Sequence, residues 1–287
     1  MTNPRIGFLL PRYSRHSTSC WPLVVKAVAD FGAEVEIVHP FPGPLDLSAL
    51  QVRHDLYVLR KLSGLALSLA GALHELGAAI LNPYPATVAV HDKIVTAAIL
   101  QSAGVPIPAT YSASRPEDLA PLLEAGPLVI KPYDGGGGHH VRIVRHSAEL
   151  ASVPRNRREP VFAQRYHPPQ GPDRKIYAIG GRLFGVTKVF PRRTAAEKHG
   201  EPFTPTPELR DLALRCGRAF GIDLYGVDII ESEGQPYVVD VSSLPGFKGV
   251  PDAPRLLAQH ICAAAERAAR GQPVLPDRAT LLSESLP

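Results

Sequence analysis

The spacing of apolar residues changes character along the chain. Residues 5–10, 34–38, 56–60 and 78–81 are short apolar runs that read as strands. Between them, residues 21–31 and 65–76 show helical spacing and stop at Gly32 and Gly77, where a helix C-terminus favours glycine. This alternation predicts a small parallel α/β domain over residues 1–85. Further on, the strands come in closer succession, at 128–132, 141–144, 161–166, 175–180 and 182–189. Gly180-Gly181 joins the last two as a hairpin, with Ile176, Ala178, Val186 and Val189 as its expected core. Helices are predicted from Asp92 as N-cap to Ala103, over 116–124, from Thr206-Pro207 to Gly221, and over 253–269. Polar, proline-containing residues 191–207 read as a mobile loop.

The most informative pattern is the pair of alternating runs around Glu233-Gly234-Gln235. Read as a three-residue hairpin loop, this segment sets Asp228 opposite Asp240 and Gly226 opposite Ser242. Alternation then puts Asp228, Asp240 and Ser242 on one face, and Val227, Ile229, Val239 and Val241 on a dry face. Like charges directly opposite in a ladder are destabilising unless something neutralises them, and a hard cation with oxygen ligands does so. On the hairpin alone two readings stay open: both carboxylates face water, or they share a cation. A one-residue slip of register would separate them.

Composition narrows the class. The chain has 287 residues, 45% hydrophobic and 20% charged, as in ordinary globular proteins. No apolar run approaches the roughly 20 residues that span a bilayer, and the N-terminus has no signal-peptide pattern. Cys20, Cys216 and Cys262 form neither a disulfide framework nor a metal motif, so a cytoplasmic location is expected. A formal net charge of +4, spread without a basic–aromatic stripe, argues against a nucleic-acid partner.

Two further features point to phosphate. Lys93 stands in the first turn of a predicted helix, where a cation opposes the helix dipole and an adjacent anion relieves it. Lys131 ends a strand just before Gly135, Gly136, Gly137 and Gly138, which connect to another strand. Such a loop can close over a nucleotide with its backbone N–H groups. It is neither a Walker A loop nor a dinucleotide fingerprint, because no helix follows it.

The order of these pieces resembles the ATP-grasp superfamily. The matching residues are Asp92-Lys93, Val129-Ile130-Lys131-Pro132 with the glycine loop, Gln164-Arg165-Tyr166, the segment beginning at Asp173, Gly226-Val227-Asp228, and Asp240 through Gly249. The resemblance covers about residues 80–262. It implies an α/β (α+β) architecture: an N-terminal parallel domain over 1–85, a central lid subdomain over 86–165, and a C-terminal antiparallel-sheet subdomain over 166–287. It also implies ATP bound between two antiparallel sheets. Lys93, Lys131, Asp173 and the four glycines would surround the nucleotide, with Gln164, Arg165 and Tyr166 beside adenine, largely through their backbone groups. Mg²⁺, with Mn²⁺ as a substitute, would be held by Asp228, Asp240 and Ser242. Lys188 and Lys175 would be the catalytic cations. Ser242 departs from the family's usual Asn, and Arg165 from its usual acceptor.

Most such proteins are carboxylate–amine ligases, and that prevalence favours the reaction; the chain is similar to the ribosomal-protein glutamate ligases through Asp173-Arg174-Lys175 and Gly226-Val227-Asp228. A similarity to inositol trisphosphate kinases of the same fold, through Leu59-Arg60-Lys61-Leu62-Ser63, Lys175-Ile176-Tyr177 and Pro245–Val250, keeps phosphorylation of a polyol as the alternative. A nucleotide-binding module without turnover is the third reading. The substrate is expected to be a small molecule contacted by Arg12, Arg60, Lys61 and Lys248. Many members form homodimers or homotetramers, so both assemblies stay open.

Overall fold

Three sheets organise the computed structural model, which describes residues 3–13, 17–38, 44–60, 64–133, 141–154, 159–189 and 194–275. The first sheet is parallel, in the order β2-β1-β3-β4, with β1 Arg5–Leu9, β2 Glu34–Ile37, β3 Leu56–Leu59 and β4 Ile80–Leu81. Helix α1 (Trp21–Asp30) follows β1, and α2 (Gly64–Glu75) follows β3. The central strands are apolar throughout because both faces are covered. Ile6, Phe8 and Val58 pack with Trp21, Val24 and Val28, while Leu9, Tyr57 and Leu59 pack with Leu69, Ala70 and Leu73.

Helices α3 (Tyr84–His91) and α4 (Lys93–Ser102) come next. Helix α3 was not predicted, because Asn82-Pro83-Tyr84-Pro85 reads as a turn; here Pro85 lies in the first helical turn, where its missing N–H costs nothing. The second sheet is antiparallel, in the order β5-β8-β6-β7, with β5 Thr110–Ala113, β6 Leu128–Lys131, β7 Arg142–Val144 and β8 Val161–Arg165. The expected short helix at 116–124 is a 3₁₀ segment, Pro116–Ala125, that closes this sheet's small core. The glycines Gly135, Gly136, Gly137 and Gly138 lie outside the described residues, as does Lys61.

The third sheet has the order β11-β10-β9-β12-β13. Its strands are β9 Asp173–Ile179, β10 Arg182–Lys188, β11 Glu201–Phe203, β12 Leu224–Ser232 and β13 Gln235–Ser243. The described part of the presumed mobile loop is ordered structure: α5 (Ala195–His199), opened by a Thr194–Glu197 capping box, and the edge strand β11. The sequence signal for it is the Thr194-Ala195-Ala196-Glu197 spacing, which the reciprocal hydrogen bonds realise. Val189 is not core but 48% exposed, since pairing of β10 ends at Lys188.

Each face of the third sheet meets a different neighbour. Ile176, Ala178, Tyr225, Val227, Ile229 and Val241 pack on α6 (Pro207–Phe220) and on Val90 and Leu100 of α3 and α4. Tyr177, Ile179, Val186 and Leu224 join the first sheet's core through Leu257 and Ile261 of α7 (Ala253–Ala269). Thr206 accepts from the Leu209 N–H, and Gly221 ends α6 in the left-handed region, as its sequence predicts.

Helix α6 approaches β12 closely enough to need glycine. A Cβ on Gly217 would collide with the Tyr225 ring and hydroxyl, and that hydroxyl donates to the Ala213 carbonyl at 2.9 Å. Gly217→Ala gains helix propensity of about 1 kcal/mol. The clash opposes it, and we expect the clash to win, with a net loss of about 1–2 kcal/mol by urea unfolding. A gain in stability would show that the helix can retreat.

Candidate nucleotide and metal site

The hairpin of β12 and β13 sets Asp228 directly opposite Asp240, and Gly226 opposite Ser242. The sequence reading arrives at this register by a different turn. Glu233 and Gly234, at φ 52° and 72°, make a two-residue turn that pairs Ser232 with Gln235. An extra residue, Val239, then bulges out between Asp228↔Asp240 and Ile229↔Val238 and restores the pairing of the carboxylates. Val238, not Val239, therefore lies in the dry core.

Lysines from separate elements converge on the two acids. Lys175 of β9 donates to Asp228 Oδ2 at 2.7 Å, and Lys93 at the start of α4 donates to Asp240 Oδ1 at 3.1 Å. Lys93 thus finds its anion within the protein. Lys131, at the end of β6, donates to Gln164 Oε1 at 2.6 Å and, across the gap between sheets, to the Val239 carbonyl at 2.8 Å. Burial pushes the Lys131 ammonium down to about 8, against the pull of Asp240. Asp92 caps α4 through the N–H groups of Ile94 and Val95 and also accepts from Tyr133. That hydrogen bond drives the Tyr133 phenol up to about 12.

A crevice between the second and third sheets opens beside these groups. Lys93, Thr96, Leu100, Ile107, Phe162, Gln164, Val238 and Asp240 line a cavity of about 20 Å³. Its lining combines apolar side chains with the polar groups of Lys93, Gln164 and Asp240.

A family model described as a RimK-like ATP-grasp domain matches residues 90–263, well over half of the chain. The chain belongs to the RimK-like ATP-grasp family. A protein of Shewanella amazonensis named probable alpha-L-glutamate ligase 1 is 26% identical over 277 residues, 87% of this chain and 92% of its own. The crystal structure of a RimK domain ATP-grasp protein from Sphaerobacter thermophilus matches with a TM-score of 0.71 at 22% identity, covering 89% of this chain and 98% of its own. The ATP-grasp ligase PsnB, complexed with a minimal precursor, Mg and ADP, matches with a TM-score of 0.66 at 20% identity, covering 93% of this chain and 99% of its own. The fold is that of ATP-grasp.

Within this ATP-grasp fold the expected residues fall into groups. Lys93, Lys131, Gln164, Lys175, Asp228 and Asp240 come together as described. Ser242 lies on the same face, its hydroxyl 3.4 Å from the Gly226 carbonyl. Two carboxylates and a hydroxyl fit a magnesium ion, which keeps water and phosphate as its other ligands. Asp173 opens β9 opposite Lys188. Arg165 does not face the crevice. Its guanidinium donates to the carbonyls of Gly126, Pro127 and Leu122, because alternation sends it to the opposite side from Gln164. The Tyr166 ring lies under Arg145. Lys188 is only 4% exposed and donates to the Tyr177 hydroxyl at 3.0 Å and the Lys198 carbonyl at 2.9 Å. Arg12 is exposed, and Arg60 and Lys248 stand apart from the metal face beside Cys20.

Sequence reasoning met Tyr177 only as part of Lys175-Ile176-Tyr177, a stretch similar to the kinases, and gave it no role; the Val239 carbonyl it missed. Tyr177 lies under both Lys175 and Lys188, at 5.6 and 5.4 Å from its ring centre. Its position two residues after Lys175 on the same strand was the available signal. The bulge that presents Val239 has none.

Replacing Asp228 by Asn leaves Lys175, 8% exposed, without its acid. The expected loss in nucleotide-free protein is about 3 kcal/mol by urea unfolding. Lys175→Met with Asp228→Asn together should recover most of it. A loss for Asp228→Asn below about 1 kcal/mol would mean that the pair behaves as a solvent-exposed one.

Proposed function

We propose that this protein is an ATP- and Mg²⁺-dependent carboxylate–amine ligase. The observation that carries the reading is the pair of opposed carboxylates, each held by a lysine, beside the crevice between two antiparallel sheets. The names of the curated relatives, alpha-L-glutamate ligases, supply the reaction class and make glutamate the first amine partner to try.

In this reading Lys93 and Lys131 transfer their hydrogen bonds from protein oxygens to ATP phosphates. That exchange frees Asp240 for the cation, while Asp228 is shared between it and Lys175. Bound there, Mg²⁺ or Mn²⁺ neutralises charge on the phosphoryl group in transfer. The substrate carboxylate attacks the terminal phosphorus, giving an acylphosphate and ADP. The amine then attacks the acyl carbon, and phosphate leaves. Lys175 stays beside the reacting oxygens as a fixed cation. Lys188 acts at one remove, because its ammonium pins the Lys198 and Lys248 carbonyls.

ATP turnover with Mg²⁺, tested on amino acids and short peptides and separately on phosphorylated polyols, decides the reaction. Phosphate release that requires both a carboxylate and an amine, and that is lost in Asp240→Asn, is the expected result. A new phosphomonoester with ADP and no free phosphate would replace the ligase reading with a kinase. Binding of MgADP without turnover of any pool would leave only a nucleotide-binding module.

The affinity for MgADP should also depend on pH. Burial lowers Lys131 to about 8 in the free protein, so raising the pH from 7 to 9 removes its proton before nucleotide arrives. Binding must then take that proton up, and affinity falls by up to about tenfold over this window. Lys131→Arg, charged throughout, should flatten the dependence. An equally steep profile in that variant would assign the titration to another group.

A further inference from the structure

The metal face already holds cations of its own. Asp228 and Asp240 stand opposite each other in the ladder, and each accepts a hydrogen bond from a lysine ammonium. The two pairs are unequal. Lys175 and Asp228 lie 2.7 Å apart, with side chains 10% and 17% exposed. Lys175 belongs to the central strand β9 and rests over the Tyr177 ring. Lys93 and Asp240 lie 3.1 Å apart, with side chains 13% and 33% exposed. Lys93 also opens α4, where a cation opposes the helix dipole. A longer pair with a wetter acid is the weaker one, so Lys175 is the fixed cation and Lys93 the exchangeable one.

Charge makes that exchange conditional. Lys131 feels the charges of Asp173, Asp228 and Asp240, and that of Lys93. With Lys175, three ammonium groups thus stand among three carboxylates. A divalent cation arriving alone adds positive charge where none is needed. It also competes with Lys93 for Asp240 Oδ1, the oxygen that already accepts from the ammonium. A nucleotide brings phosphate oxygens that can accept from Lys93 in place of Asp240.

We propose that Lys93 occupies the cation's place on Asp240 until a nucleotide phosphate draws it away, so that metal enters with nucleotide and not before it. Lys93 then has two roles: it contacts phosphate, and it keeps free metal ions off the opposed carboxylates. Nucleotide and metal bind cooperatively as a consequence, each raising the affinity for the other by the same factor. The inference rests on the ATP- and Mg²⁺-dependent reading of this crevice.

The test uses the full chain in metal-free buffer without nucleotide. Mn²⁺ binding is followed by electron paramagnetic resonance, and the response to Mg²⁺ by thermal shift. Wild-type protein should take up little Mn²⁺, and its Tm should respond to Mg²⁺ no more than to NaCl of equal ionic strength. Lys93→Met leaves Asp240 facing Asp228 without its ammonium. This variant should have a lower Tm than the wild type, bind Mn²⁺ about tenfold more tightly, and recover its Tm in Mg²⁺ but not in NaCl. Lys93→Met combined with Asp240→Asn should lose the Mn²⁺ site again. A lysine with only a structural role would give the lower Tm without the rescue by Mg²⁺. Should Lys93→Met not fold, Lys93→Ala keeps a good helix former at that position, and the same gain in Mn²⁺ affinity is expected. With ADP present, the wild-type protein should hold Mn²⁺ more tightly than ADP alone does. Equal Mn²⁺ affinity of wild type and Lys93→Met would overturn the proposal, as would a Tm deficit that Mg²⁺ does not repair. Failure of wild-type protein to bind MgADP by calorimetry would instead sink the nucleotide reading, while the Mn²⁺ arms run without nucleotide still decide whether Lys93 screens a cation site.

Discussion

Two like charges held opposite each other in a β-ladder impose the main constraint on this molecule. The pairing of Asp228 with Asp240 costs free energy that the hairpin alone cannot recover. Neutralisation comes from Lys175 on the adjacent strand and from Lys93 at a helix start, so a sheet interior and a helix terminus must both be placed correctly. A cation in the first turn of α4 is itself unfavourable to the helix. The two liabilities offset each other. Such a site is stable without ligand yet consists entirely of groups whose natural partners are phosphates and cations.

The bulge at Val239 extends this logic across the crevice. By taking one residue out of the ladder it turns a backbone carbonyl toward the second sheet, where Lys131 donates to it. The same ammonium holds Gln164, which in turn donates to Thr110 at 3.2 Å. One buried lysine therefore ties β13 to β6, β8 and β5. The cavity beside it, about 20 Å³, is far smaller than a nucleotide base. On the proposed reading, entry of a base would separate the two sheets and break the Lys131–Val239 hydrogen bond. A lysine depressed to about 8 is a weak clasp, because its neutral form is within reach near physiological pH.

Local rules recovered much of this and stopped where tertiary contacts decide. Asp92, Thr206 and Gly221 act as caps because capping depends on a few neighbouring residues. The facing carboxylates were legible because alternation is local, although the turn was read one residue too long and the bulge compensated. Val189 was misjudged because pairing, not hydrophobicity, sets where a strand ends. The direction of the Arg165 side chain was not legible, because a motif position does not say to which side a strand residue points. The lysine–carboxylate partners span 53 residues for Lys175–Asp228 and 147 for Lys93–Asp240, separations that no local pattern encodes.

Ser242 can be judged on the same physical ground. Relative to Asn it changes reach more than charge, since hydroxyl and carboxamide are both neutral donors of an oxygen lone pair. On the proposed reading, the charge that would hold a hard cation comes from the two carboxylates and from phosphate. The space around position 242 is also limited. Gly226 faces it across the ladder, and Pro245 and Lys175 crowd the point where a Gly226 side chain would sit. A short side chain suits a floor this narrow, and on the proposed reading a single water between hydroxyl and cation would fill the one-carbon shortfall.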